Sequence, residues 1–175
     1  MGWCIGGNNV YALKASTGAK LWSYATGNSV SSPAVANGVV YVGSQDNNVY
    51  ALKVSTGALL WSYTTGGLVL SSPAVANGVV YVSSDDGNVY ALNASTGAKL
   101  WSYTTGSNVI SSPAVANGVV YVGSADNNVY ALKASTSTKL WSYTTGSHVG
   151  SSPAVANGVV YVGGDDFNVY AFSLK

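Results

Sequence analysis

One twelve-residue segment occurs four times in this chain without a change, and its spacing constrains the fold more than any other feature. The segment SSPAVANGVVYV begins at Ser31, Ser71, Ser111 and Ser151, a period of 40 residues. A second segment, NVYAL, follows each copy and reads NVYAF in the last one. Because one repeated unit accounts for nearly the whole chain, the fold depends on how a unit contacts its own copies.

Each unit is predicted to form four short antiparallel strands. Between AVA and VVYV, the Asn37-Gly38 pair fits a two-residue type I′ turn, in which both central residues need a positive φ. The flanking β-branched and aromatic residues suit strands. Turns at Asp46-Asn47 and Thr56-Gly57 divide the rest of the unit. We label the strands A (SSPAVA), B (GVVYVGS), C (NVYALKA) and D (KLWSYTT); no segment shows a sustained helical period.

A sheet built from this unit must be covered on both sides. Strand B places Val39 and Tyr41 on one face and Val40 and Val42 on the other, so both faces are apolar. Radial repetition of four-stranded antiparallel sheets is the β-propeller, for which about 40 residues per blade is typical. A solenoid is the alternative, but its repeats usually span about 20–30 residues. The sequence therefore predicts an all-β propeller.

The junction between strands C and D carries a motif that resembles a known family. It reads ALKASTGAKLW, ALKVSTGALLW, ALNASTGAKLW and ALKASTSTKLW in successive units. These segments resemble the tryptophan-docking motif of pyrroloquinoline-quinone-type propellers, A-x-D-x-x-T-G-x-x-x-W. The Asp of that motif is replaced by Lys14, Lys53, Asn93 and Lys133, and its Gly by Ser137 in the last copy. The resemblance covers essentially the whole chain.

The motif tryptophans are predicted to dock neighbouring blades onto one another. Because blades diverge outward, a wide side chain on the outer strand fills the gap between them and buries about 200 Å². The family resemblance implies that each indole packs on the Thr-Gly turn of a neighbouring blade. A carbohydrate-binding platform is the alternative role. The residues concerned are Trp22, Trp61, Trp101 and Trp141.

The sequence begins and ends within a blade. Three units are complete, at residues 31–70, 71–110 and 111–150. Residues 151–175 supply strands A, B and C, and residues 1–30 supply strands B, C and D, with 2–7 as a degenerate strand B. The missing strand D of the last blade must therefore come from an N-terminal segment, of the same chain or of another. Sharing a blade in this way removes open sheet edges.

The family resemblance favours eight blades, whereas this chain holds about four. We therefore expect a head-to-tail homodimer, in which the N-terminal strand D of each chain completes the C-terminal blade of the other. One strand C, within 10–14 or 169–172, is then redundant. The alternatives are a closed monomer of four blades and a five-membered ring in which both incomplete blades stay separate.

Aspartates in the turns between strands B and C are the candidate ligand-binding residues. In propellers these turns and the D–A loops emerge on one face around the axis, so the carboxylates are expected to form a ring there. Such a ring could hold a cation or a basic peptide. The alternative is that Asp is simply a good turn former. The candidates are Asp46, Asp86, Asp126, Asp166 and His148, with Asp85 and Asp165 as additional carboxylates.

The sequence shows no catalytic constellation and no metal-binding motif. Quinoprotein dehydrogenases with this motif need a calcium site with acidic ligands and often adjacent cysteines, whereas this chain has no Glu and one cysteine, Cys4. We therefore expect a non-enzymatic structural or protein-interaction scaffold without a cofactor. A ligand- or cation-binding propeller and a quinoprotein dehydrogenase fragment are the two alternatives. The near identity of the copies indicates a recently amplified or engineered repeat.

Composition and charge argue against two further classes. Only 7% of residues are charged, the formal net charge is +1 and there is no Arg, which is unlike a nucleic-acid-binding protein. No apolar run approaches the roughly 18 residues of a membrane helix, and the N-terminus does not begin a signal peptide. The family resemblance includes outer-membrane assembly lipoproteins and extracellular sensor domains and implies an extracytoplasmic setting; the residues alone leave the localisation open.

Overall fold

The computed structural model describes residues 7–173, which form five antiparallel sheets and no helix. Sheet 1 contains β1 and β2, sheet 2 contains β3–β6, sheet 3 contains β7–β10, sheet 4 contains β11–β14 and sheet 5 contains β15–β17. The degenerate strand B predicted at 2–7 lies outside the described residues except for Gly7. The strands are β1 (Asn9–Leu13), β2 (Lys20–Ala25), β3 (Ala34–Ala36), β4 (Val39–Gly43), β5 (Asn48–Lys53), β6 (Leu59–Thr64), β7 (Ala74–Ala76), β8 (Val79–Ser83), β9 (Asn88–Asn93), β10 (Lys99–Thr104), β11 (Ala114–Ala116), β12 (Val119–Gly123), β13 (Asn128–Lys133), β14 (Lys139–Thr144), β15 (Ala154–Ala156), β16 (Val159–Gly163) and β17 (Val169–Ser173).

The turns within each sheet follow the predicted chemistry. Asn37 and Gly38 have φ of 49° and 77°, both positive as a type I′ turn requires, and the other three Asn-Gly pairs are alike. In the B–C turn, the left-handed position is held by Asn47 with φ of 70°. Asn adopts this conformation more readily than most other residues with a side chain. The hairpin prediction is therefore confirmed at every Asn-Gly pair.

Neighbouring sheets pack face to face, in chain order. We call the face of a sheet that contacts the next sheet its forward face, and the opposite one its backward face. On sheet 2 the forward face carries Tyr41, Val49 and Ala51, and these pack against Val80 and Leu92 on the backward face of sheet 3. The same interface recurs between sheets 3 and 4 and between sheets 4 and 5. Both faces of an inner sheet are thus buried, as the apolar alternation of strand B predicts.

Serine hydrogen bonds join the segments that lead into the innermost strands of sheets 3, 4 and 5. The backbone N–H of Ser72 donates to Oγ of Ser112 over 2.9 Å, and the N–H of Ser112 donates to Oγ of Ser152 over 3.0 Å. The inner strands β3, β7, β11 and β15 also contact one another in that order. Small side chains let these strands approach closely, so the sheets radiate from a shared inner edge.

The two end sheets expose the faces that inner sheets bury. On the forward face of sheet 5, Tyr161 is 43% exposed and Val169 is 78% exposed, whereas the equivalent Tyr41 and Val49 are 2% and 0% exposed. On the backward face of sheet 1, Leu13 is 56% exposed. No strand pairing or hydrogen bond joins sheets 1 and 5 within residues 7–173. The described chain is therefore an open series of sheets with an apolar face at each end.

Candidate functional site

Each candidate aspartate lies at the B–C turn and bonds to two different sheets. In sheet 3, Oδ2 of Asp86 accepts hydrogen bonds from the hydroxyl of Tyr90 over 2.6 Å and from the backbone N–H of Gly66 over 2.7 Å. Its Oδ1 accepts from the backbone N–H of Asn88 over 2.9 Å. Gly66 belongs to the D–A loop that arrives from sheet 2. The carboxylate therefore ties its own turn to the loop from the preceding sheet.

The same arrangement occurs in every sheet that contains a B–C turn. Four glycines of the D–A loops donate to Oδ2 of the four aspartates at 2.6–2.8 Å, and four strand C tyrosines donate to the same oxygens at 2.6–2.7 Å. A Cβ on Gly66 would lie 2.8 Å from Oδ2 of Asp86, so only glycine allows this approach. Each hydrogen-bonded cluster thus contains one glycine, one aspartate and one tyrosine. The four clusters are Gly27, Asp46 and Tyr50; Gly66, Asp86 and Tyr90; Gly106, Asp126 and Tyr130; and Gly146, Asp166 and Tyr170.

These hydrogen bonds determine the ionisation of both partners. Burial raises the pKa of Asp86, but the hydrogen bonds from Tyr90, Asn88 and Gly66 outweigh it, and the pKa lies below its usual value. The pKa of Asp46, Asp126 and Asp166 is lowered in the same way. Burial, together with the adjacent carboxylate of Asp46, raises the pKa of Tyr50 to about 12. The four aspartates are therefore held as carboxylates that only accept hydrogen bonds.

The remaining candidates are placed differently. Asp85 points one oxygen into the protein, where its buried Oδ1 has no hydrogen-bond partner. Burial and the charge of Asp86 raise the pKa of Asp85. His148 is exposed, and its carbonyl oxygen accepts a hydrogen bond from the backbone N–H of Asp165 over 2.9 Å. Within residues 7–173, no three His, Cys, Asp or Glu side chains come together as a metal site would require.

Three of the four motif tryptophans pack on the turn between strands C and D of the next sheet. Nε1 of Trp61 donates to the carbonyl oxygen of Ala94 over 3.0 Å, and a Cβ on Gly97 would lie only 2.7 Å from the indole. The indole thus lies flat against the Thr-Gly turn between β9 and β10. Trp22 and Trp101 donate to Val54 and Ala134 in the same way, each over 2.8 Å.

The fourth tryptophan has no such turn in the described residues. Trp141 packs instead on Phe172 of sheet 5, with ring centroids 5.1 Å apart. At the other end of the chain, Gly18 occupies the turn position equivalent to Gly57 and Gly97, and no atom of the described residues lies within 4 Å of a Cβ built there. Among residues 7–173, one docking tryptophan therefore has no turn to pack on and one turn has no tryptophan.

Sequence reasoning identified the aspartates but missed their partners. The D–A glycines and the strand C tyrosines complete each carboxylate cluster. A signal was present, because Asp and Tyr stand four residues apart in DNNVY, DGNVY and DFNVY. The first unit departs from this pattern, with Gly7 at the position of the Asp.

Comparison with known proteins assigns the family. A family model described as outer membrane protein assembly factor BamB matches residues 6–113 and 105–175. The chain belongs to this family. Its predicted membership of the pyrroloquinoline-quinone-like repeat propellers is thereby confirmed, and so is the all-β propeller fold. Comparison with curated protein sequences finds no match.

Solved structures share the fold of this chain at low sequence identity. The computationally designed Ika8 protein aligns with a TM-score of 0.86 and 21% identity, over 95% of this chain and 53% of that chain. BamB from Moraxella catarrhalis aligns with a TM-score of 0.79 and 22% identity, over 90% and 50%. The computationally designed Ika4 protein aligns with a TM-score of 0.78 and 20% identity, over 86% and 94%. This family member thus spans about half the length of Ika8 and BamB and nearly all of Ika4.

Proposed function

We propose that this chain is a non-enzymatic structural scaffold that closes into an eight-bladed ring with a second copy of itself. One observation carries the proposal: the forward face of sheet 5 is exposed, although it repeats the residues that three inner interfaces bury. Val169 is 78% exposed, whereas Val49, Val89 and Val129 are fully buried. Leaving such a face in water forfeits the stabilisation that its burial provides, about 25 cal/mol per Å² of apolar surface.

The complementary surface lies at the other end of the chain. Pro33 and Val35 are exposed on the inner strand of sheet 2, whereas the prolines at the equivalent position in later sheets are buried. Every inner interface joins a forward face to a backward face, so sheet 5 of one copy fits sheet 2 of the other. Such a head-to-tail contact closes when each copy contributes both ends.

The unmatched docking partners support the same arrangement. Within residues 7–173, Trp141 has no Thr-Gly turn to pack on, and no indole covers the turn that contains Gly18. In a two-copy ring the blade after sheet 4 includes β2 of the partner, and the turn containing Gly18 precedes β2. The indole of Trp141 would then pack on the partner's Gly18, as Trp61 packs on Gly97.

The non-enzymatic role is supported by the use made of the carboxylates. Both oxygens of Asp46, Asp86, Asp126 and Asp166 accept hydrogen bonds from the protein itself. A residue engaged in this way is poorly available as a calcium ligand or a proton acceptor. We expect calorimetric titration with pyrroloquinoline quinone and Ca²⁺ to show no binding; saturable binding of both would contradict this proposal.

Molar mass in solution tests ring closure. Light scattering on the 175-residue chain is expected to give twice the chain mass of 17.8 kDa. Val169→Lys places a charge at the centre of the proposed interface and should yield the single chain. Leu100→Lys is the matched control, because Leu100 is 52% exposed on the rim of an inner sheet. A reference protein that stays at 17.8 kDa at every concentration would overturn the proposal.

A cation or a basic peptide bound at the B–C turns is the second candidate function. It is favoured by Asp85, whose buried Oδ1 lacks a partner and whose pKa is raised. The neighbouring D–A loop exposes Leu68 and Leu70 as a contact surface. Binding of Ca²⁺ or of an oligolysine peptide that is lost in Asp85→Ala would establish this function. Equal binding by both proteins, or none, would exclude it.

A further inference from the structure

The ring described above requires two strands to compete for one place, and this inference rests on that proposed function. Sheet 1 packs on the backward face of sheet 2, with Val10, Trp22 and Tyr24 against Val40 and Leu52. In the ring, sheet 5 of the partner must cover the same face of sheet 2. Strands β15 and β16 then form the inner half of the shared blade and β2 its outermost strand. The remaining place, that of strand C, can hold either β1 or β17.

At two of the positions that pair with β2, the competing strands carry the same residues, Val and Ala. In the single chain, Val10 pairs with Tyr24 and Ala12 pairs with Trp22. The unpaired edge of β17 presents Val169 and Ala171 at the equivalent positions. In the complete sheet 4 the corresponding pairs are Val129 with Tyr143 and Ala131 with Trp141. Strand β2 can therefore exchange β1 for β17 without losing a pairing partner.

The backward face of β17 contacts sheet 4 through hydrogen bonds and aromatic packing. Oδ2 of Asp166 accepts hydrogen bonds from the hydroxyl of Tyr170 over 2.6 Å and from the backbone N–H of Gly146 over 2.8 Å. The ring of Phe172 lies 5.1 Å from Trp141 and 5.3 Å from Tyr143, measured between centroids. Removing β17 from this position would break both sets of contacts.

Within the part of the chain that the structure describes, strand β1 has no comparable contacts. Gly7 stands where the other units have Asp, so no carboxylate is available to the hydroxyl of Tyr11. Tyr11 is 57% exposed and Leu13 is 56% exposed, although the equivalent residues of sheets 3 and 4 are buried. In the shared blade this face of β1 would have to replace the contacts that Asp166 and Phe172 make.

We infer that β17 keeps the strand C position and that β2 of the partner pairs with it, displacing β1. In the single chain, β1 covers the edge of β2 that assembly requires, so ring closure includes release of the segment that contains β1. The partner recognised by the free edge of β17 is thus the β2 segment of a second copy, and β1 is an internal competitor for that segment.

Disulfide trapping distinguishes the two strands. In a Cys4→Ser background, Asn9→Cys with Ala25→Cys places thiols at a directly opposed pair of β1 and β2, whose Cα separation of about 4.5–5.5 Å permits a disulfide. Asn168→Cys with Ala25→Cys places them at the corresponding pair of β17 and β2 of the partner. Light scattering and non-reducing electrophoresis are then compared before and after mild oxidation, and reduced samples show whether the variants fold and assemble.

We expect oxidation to link the variant with cysteines at 168 and 25 into covalent dimers. In the variant with cysteines at 9 and 25, oxidation should weaken dimer affinity about tenfold or more, and reduction should restore it. Undiminished dimerisation of the oxidised 9/25 variant would show that β1 stays in the blade and would overturn this inference while leaving the ring intact. A 168/25 disulfide formed within one chain would exclude the partner as the source of β2. A reference protein that never dimerises would overturn the ring itself.

Discussion

The indole Nε1 of Trp61 donates a hydrogen bond to the carbonyl oxygen of Ala94 in the following sheet, 3.0 Å away. The hydroxyl of Tyr41 donates to the same carbonyl oxygen over 3.1 Å, and the two rings lie 5.8 Å apart. One backbone carbonyl oxygen therefore accepts hydrogen bonds from two aromatic side chains of the preceding forward face. This contact fixes the outer half of the interface between sheets 2 and 3, whereas at the inner edge of the same interface β3 contacts β7.

Removing the Trp61 side chain should be among the most destabilising changes in an inner sheet. Trp61→Ala is expected to lower the free energy of unfolding by about 3–5 kcal/mol, because it leaves a cavity and removes a hydrogen bond. Trp61→Phe retains most of the packing and should cost about 1–2 kcal/mol. Urea denaturation measures both. A cost below about 1 kcal/mol for the alanine variant would mean that the indole does not hold the two sheets together.

The Thr-Gly turn offers a reciprocal pair of substitutions. Ser137 adopts a φ of 61°, which a residue with a Cβ adopts at a cost, whereas Gly97 occupies the equivalent turn with a φ of 73°. Ser137→Gly should stabilise the protein by about 0.5–1 kcal/mol. Gly97→Ser should destabilise it by about 1 kcal/mol or more, because the new Cβ approaches Trp61. Thermal denaturation of the two variants should therefore give shifts of opposite sign.

Replacement by alanine is expected to change the free energy of unfolding differently at two adjacent aspartates, Asp85 and Asp86. Asp86→Ala deprives Tyr90 and Gly66 of their acceptor and should cost about 2 kcal/mol or more. Asp85→Ala removes a carboxylate with a buried, unpartnered oxygen, and the fourth unit already has Ala125 at that position. Its effect on the free energy of unfolding at neutral pH should be neutral or stabilising. Equal losses in both variants would contradict the assigned role of Asp86.

Stability should fall in acid because of the four carboxylate clusters. The pKa of Asp86 is lower in the folded protein than in the unfolded chain, so the unfolded chain binds protons first. This contribution is fully present above the usual pKa of about 3.9 and is lost as the pH falls through the folded value. The raised pKa of Asp85 acts in the opposite direction and offsets part of the loss.

The tyrosine hydroxyl provides the control for this pH dependence. Tyr90→Phe removes the hydrogen bond that lowers the pKa of Asp86, so the stability difference between this variant and the reference should narrow as the pH falls below about 4. Urea midpoints between about pH 2 and pH 7 measure the effect. A difference that is constant across this range would show that the hydroxyl does not act through the ionised carboxylate.

The strands and turns could be predicted because their causes are local. Asn37-Gly38 has to adopt two positive φ values, and the alternation of Val and Tyr in strand B requires cover on both faces. The role of Asp86 could not be predicted in the same way, because Gly66 lies 20 residues earlier and belongs to the loop from another sheet. The sequence leaves two roles open for the carboxylates, a ligand-binding ring or turn formation, and in the structure three hydrogen bonds from the protein reach the carboxylate of Asp86.

The difference in burial between the two end sheets also cannot be predicted from local sequence. Val10 and Val169 stand in the same sequence context, yet the first is 7% exposed and the second 78%. The difference arises because sheet 1 has a following sheet to cover its forward face and sheet 5 has none within the described residues. The burial of these two valines is therefore decided by how whole sheets pack and not by the residues next to them in the sequence.

An experimental structure of the assembled protein, with its sheets counted around the axis, tests the central claim most directly. We predict two chains and eight blades, with Tyr161 and Val169 buried against sheet 2 of the partner. A single chain closed on itself through its own β2, or an open series of sheets with Tyr161 in solvent, would contradict the account.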